Sequence, residues 1–153
     1  MNIVMNIDDI DTNNIFLANE IKNTIINDGV FYKLNYSDNL LTLTNLLIKV
    51  EIPEYTIFQN YYKHKCVFFA EKYTKFINKI IALEHIILHN IWKNNTDIYK
   101  HANTNITRLL QSGFFKLAQK PPDNNNGIAL KISGIWETDD SYGLTYKFLF
   151  LTK

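Results

Sequence analysis

The sequence predicts an α+β fold in which β dominates: a small β-barrel with one long helix packed between strands and a hairpin at the C-terminal end. Three observations carry this expectation. Runs 128–136 and 142–150 are rich in β-branched and aromatic residues and flank a short acidic turn, the pattern of a β-hairpin. Residues 70–92 space their apolar side chains at i, i+3 and i+4, the period of an amphipathic helix. The chain has 153 residues, 46% of them hydrophobic and 14% aromatic, which suffices for one ordinary core but not for two.

Residues 1–14 are rich in Asn and Asp and read as a mobile acidic segment, leaving 15–153 as a single domain. Apolar residues at 15, 17, 21, 25 and 26 allow a short helix, stopped by Asn27-Asp28-Gly29. Run 30–36 alternates as a strand, Ser37-Asp38-Asn39 makes a turn, and 40–52 reads as a long second strand closed by Pro53. Residues 55–60 continue extended, and 61–69 form another strand in which aromatic and basic residues mix. The helix over 70–92 follows, with Tyr73, Phe76, Ile77, Ile80, Ile81, Ile87, Leu88 and Ile91 on its apolar side. A shorter helix or irregular connection is expected over 96–112 and a strand over 112–119. The loop Pro121-Pro122-Asp123 and its Asn run lead into the closing hairpin. Strands, then a helix, then a returning hairpin is the element order of an OB-fold.

The net charge of +1 conceals a polarised chain. Residues 1–57 hold three lysines against eight acids, whereas 58–131 hold eleven Lys and Arg against four acids. Phosphate contacts would therefore come from a local patch rather than from the whole surface. Cys66 is the single cysteine, so no intrachain disulfide forms and a reducing, intracellular compartment is expected. The N-terminus lacks the basic start and sustained apolar stretch of a signal peptide, and no run approaches a membrane span.

No phosphate-binding glycine loop, nucleophile elbow or nucleophile with an evident base partner is present, so the chain is not expected to be an enzyme or to hold a cofactor. His85 and His89 are four apart on the long helix, but the surrounding Leu83-Glu84-His85 order is not that of a zinc-binding helix, and no metal is expected. What remains is an aromatic and basic set. In the last strand Leu144, Tyr146, Phe148 and Phe150 share one side while Thr145, Lys147 and Leu149 share the other. Lys131 is a candidate neighbour for Lys147 across the hairpin, an arrangement of like charges that favours an anion between them. Lys63 and Lys65 in the aromatic strand, and the row Lys72, Lys75 and Lys79 on the helix, add charge. Trp136, Tyr142, Tyr146, Tyr61 and Tyr62 are candidate stacking partners for bases, or equally the filling of a small core.

The run Lys131-Ile132-Ser133-Gly134-Ile135-Trp136, a short insertion, then Tyr142-Gly143-Leu144-Thr145-Tyr146-Lys147, resembles the closing strands of the OB-fold single-stranded-DNA-binding proteins of large DNA viruses and phages. The order upstream, a strand like Leu47-Ile48-Lys49-Val50 and then a helix containing Leu83-Glu84, is also similar. The resemblance implies a viral, non-enzymatic protein that coats single-stranded DNA during replication, recombination or repair. Viral replication proteins and a second copy of the chain are the protein partners it implies. Replicative members often end in an acidic recruiting tail, which Leu151-Thr152-Lys153 does not supply, leaving Asp8, Asp9 and Asp11 as a substitute. The alternative is an OB-like virion component or adaptor that has lost strand binding.

Overall fold

The computed structural model describes residues 3–23, 29–60, 63–92 and 100–152. It is mainly β, with strands β1 Val4–Met5, β2 Ile15–Asn23, β3 Gly29–Ser37, β4 Thr42–Leu43, β5 Leu46–Lys49, β6 Thr56–Asn60 and β7 Lys63–Val67 before the long helix α1 Thr74–Ile86. After it come β8 His101–Asn103, helix α2 Asn105–Ser112, β9 Phe114–Leu117, β10 Asn125–Glu137 and β11 Ser141–Thr152. A 3-10 turn, Ala70–Tyr73, leads into α1, and a wider π-type turn, Ile87–Ile91, extends it to Trp92, whose N–H donates to Ile87 O at 2.9 Å. The periodicity over 70–92 and both arms of the closing hairpin are thus realised as helix and strands.

Two expectations are corrected. The helix expected over 15–26 is strand β2 over its described part, antiparallel to β3 with Ile15 opposite Tyr36 and Leu17 opposite Leu34. Apolar residues four apart, as Leu17 and Ile21 are, satisfy the strand period as well as a helix turn, and an available β3 partner decides between them. Residues 3–14, expected to be mobile, lie against the body of the protein: Val4 pairs in parallel with Leu47, and Ile7 is 8% exposed within the core.

The strands run in the order β1-β5-β10-β11-β9-β7-β6, with β3 pairing farther along β10 and carrying β2 and β4, and β8 beside the start of β11. The sheet is mixed, β1/β5, β11/β8 and β11/β9 being its parallel pairs. It is also open, since β1 and β6 end the path without pairing to each other among the described residues, so the expected closed barrel is not formed. The 13 residues of β10 take β5 along one half of an edge and β3 along the other, so the ladder branches there.

The core lies between one face of this sheet and the helices. Leu34, Leu46, Ile48, Cys66, Phe115, Leu130, Ile132 and Phe148 meet Phe76, Ile80, Leu83, Ile87, Leu88 and Leu110 in one cluster. Each such side chain contributes roughly 1.5–3 kcal/mol on burial. Glu84 is 1% exposed, yet it is satisfied: its carboxylate accepts from the N–H groups of Ile106 (3.3 Å) and Thr107 (2.9 Å) and from the Thr107 hydroxyl (2.6 Å). A carboxylate from α1 therefore caps the first turn of α2 and docks the two helices. Gly113 ends α2 at φ 82°, and a Cβ there would sit 2.7 Å from Phe68 O, so the reversal into β9 requires glycine.

Candidate nucleic-acid interface

The other face of the sheet is not covered by the helices, and the ladders determine which side chains it carries. Directly opposed residues point to the same side. Leu47 is opposite Lys131, and Lys131 is opposite Lys147, the cross-hairpin neighbours anticipated from the alternation. Phe148 is opposite Leu117, so Lys147 and Lys116, each one residue earlier, share the outward side. Lys116 is opposite Lys65, and Lys65 is opposite Phe58. One row across the sheet therefore reads Leu47, Lys131, Lys147, Lys116, Lys65, Phe58.

At about 4.8 Å between strands, its four lysines span about 15 Å. Lys49 opposite Ala129, Lys63 opposite Asn60 and Lys33 opposite Gly134 lie on the same side. The single acid of β5, β10, β11, β9, β7 and β6 is Glu137, which is opposite Tyr142 on the inner side. There it accepts from Tyr32 Oη (3.2 Å) and pairs with Lys100 Nζ (2.7 Å). Two unit charges 5 Å apart repel by about 0.8 kcal/mol even in bulk water. The outward face thus holds its cations against that repulsion, with no carboxylate from these strands among them.

Aromatic rings interleave with this charge. Phe58 is 55% exposed at the β6 end of the row, and Lys65 Nζ lies 4.3 Å from the centroid of the Phe114 ring. Trp136 is half-buried and faces outward, its ring over Gly143, where a Cβ would meet Trp136 Cζ2 at 2.9 Å. Phe31 covers Gly134 in the same way. Neighbouring backbone closes in at both positions as well, Tyr32 O on a Cβ at Gly134 and Asn103 O, at 2.9 Å, on one at Gly143, so each glycine lets a ring and an adjacent strand approach closely.

The structure divides the residues singled out from the sequence. Lys63, Lys65, Lys131, Lys147 and Trp136 share the outward face. Tyr142 is buried, packed near Trp92 with centroids 6.4 Å apart, and offers no open ring. Tyr146 is half-buried on the inner side, edge-on to Phe148 at 6.0 Å. Burial raises its phenol pKa, the Glu84 charge raises it further, and Arg108 opposes both. Lys72, Lys75 and Lys79 do not join the row: α1 packs on the inner side, so its exposed lysines point away from the sheet's outer face. Lys72 pairs with Glu54 at 3.3 Å and Lys79 with Asp8 at 2.5 Å. Tyr61 and Tyr62 lie outside the described residues.

His85 and His89 are exposed, with ring centroids 4.4 Å apart, while Glu84, the residue before His85, points inward to α2. No group of three or more metal-ligating side chains occurs among the described residues. Lys116, Phe114 and Phe58 were missed by sequence reasoning. Their alternation within short strands was visible, but not that β9 lies beside β11 with β7 and β6 beyond it. No helix among the described residues is long and apolar enough to cross a membrane.

Beside the row, α2, β9 and β11 diverge around a groove of about 720 Å³. Comparison with protein-family models, curated proteins and solved structures finds no match for this chain.

Proposed function

We propose that this protein binds single-stranded DNA along the outward face of its sheet and performs no chemistry on it. The observation that carries the reading is the row Lys131, Lys147, Lys116, Lys65 on four adjacent strands, free of acids and ending at the exposed ring of Phe58. Repulsion within the row is relieved when phosphates replace its counterions, and an unpaired strand also exposes bases that stack on Phe58 and Trp136. A rigid duplex shields its bases from such rings, so the pairing of cations with exposed aromatics favours the unpaired form.

An OB-like ancestry, and a role in coating viral DNA during replication, recombination or repair, belong to the same proposal and rest on the resemblance of the closing hairpin. Fluorescence anisotropy with a labelled oligothymidine of roughly 30 nucleotides, repeated over a salt series, tests it. Salt-sensitive binding poorly competed by duplex is the expected outcome. Absence of binding at low salt would overturn the reading and leave an adaptor or virion component in its place.

A further inference from the structure

We propose that the groove between α2, β9 and β11 binds a nucleoside phosphate monoester, its base on the apolar floor and its phosphate among the cations of the rim. The burial gradient sets this arrangement. Phe148 and Leu117 are buried and form the floor, Leu109 and Phe114 are half-buried walls, and Lys63, Arg108, Lys116 and Lys147 are exposed at the rim. A volume of about 720 Å³ lies within the range of small-molecule sites, and an apolar floor with a few polar groups is their usual composition. Asn105, held by Arg108 Nη2 at 2.8 Å, and Gln119 bring amides that both donate to and accept from a base edge.

The charge count names the ligand more closely. Among the described residues no acid lines the groove, whereas four cations, Lys63, Arg108, Lys116 and Lys147, do. An internal nucleotide of a strand carries one negative charge, whereas a phosphate monoester carries about 1.5 to 2 at neutral pH. Four cations match the monoester better. Lys116 and Lys147 belong both to the groove and to the middle of the row across the sheet, so a strand that ends between them places its terminus at the groove. The inference rests on the strand-binding reading through these two lysines, while Arg108 and Leu109 belong to the groove alone.

The same chemistry is offered by a phosphorylated strand end and by a free nucleotide, and three titrations of the full chain separate them. Oligothymidine of roughly 10 nucleotides is compared by anisotropy with a 5′-phosphate, a 3′-phosphate or neither, and thymidine monophosphate is titrated as a competitor. One phosphorylated end is expected to bind about tenfold tighter than the unphosphorylated strand, the scale of one charge-assisted contact. Arg108→Ala, a surface change, and Leu109→Trp, which fills the groove, are each expected to erase that ratio. Displacement by thymidine monophosphate at concentrations that leave the unphosphorylated strand bound extends the same site to free nucleotides. Equal affinity for all three oligonucleotides, with no competition by the monophosphate, overturns the inference even where strand binding itself stands. Failure of the strand-binding reading is seen separately, as no binding of the unphosphorylated oligonucleotide by the unaltered protein.

Discussion

The lysines of α1 and the lysines of the sheet are the same residue type at similar spacing, and the structure gives them opposite surroundings. On the helix, Lys72 and Lys79 meet Glu54 and Asp8, both from the acidic first part of the chain. On the sheet, Lys131 faces Lys147 and Lys65 faces Lys116. The acidic N-terminal region thus answers one set of cations, while the other has no salt bridge among the described residues. A row of charge is informative only once its neighbours are known: paired lysines solubilise a helix, whereas opposed lysines are held ready for an anion.

Charge reversal provides the sharpest contrast between these two regions. Lys65→Glu, Lys116→Glu and Lys147→Glu together are expected to weaken single-strand binding by about 100-fold or more, read by anisotropy at low salt. The matching triple change at Lys72, Lys75 and Lys79 is expected to alter it by no more than about threefold, because these lysines are not part of the row and two of them are already paired with acids. Equal losses for the two triples would break the comparison. Phe58→Ala follows in size: loss of one stacked base is expected to cost about tenfold in affinity with the urea midpoint unchanged, since the ring is already in solvent.

Smaller effects sharpen the comparison further. Four phosphates neutralised on the row correspond to a salt slope of about −2.8, and Lys147→Gln is expected to flatten it by about 0.7. Asp8→Asn removes the partner of Lys79 at an exposed site, so its effect on stability is expected to stay within about 0.5 kcal/mol in chemical denaturation. Cys66 alternates with Lys65 on β7 but points inward, and burial pushes its thiol up to about 12. The native pKa exceeds the unfolded one, so the unfolded chain releases this proton first. Stability from this group is therefore intact below the unfolded thiol's pKa and declines as pH rises toward 12. At neutral pH a thiol reagent is expected to label Cys66 only on unfolding, and rapid labelling of the native protein would contradict its inward placement.

Parts of this arrangement were legible in the residues themselves, for identifiable reasons. Alternation in 142–150 set Lys147 apart from Tyr146 and Phe148, but the pairing with Lys131 depends on a bulge between Ile132 and Gly134, which shifts the register fixed by the turn by one residue. The helix over 70–92 was equally plain, since six turns of one period leave no competing assignment. Residues 15–23 were misread because their spacing fits two periods and only β3 resolves them.

Local periodicity therefore determined which way a side chain points from its own segment, and with it the closing hairpin and the long helix, while a bulge between Ile132 and Gly134 set Lys131 against Lys147. Tertiary structure alone decided that β9 lies parallel to β11, that β7 follows it, and that β10 carries β5 and β3 on one edge. Those pairings join residues far apart in sequence, where neither turn length nor period restricts the partner. From them come the four-lysine row, the open sheet that exposes it and the groove beside α2.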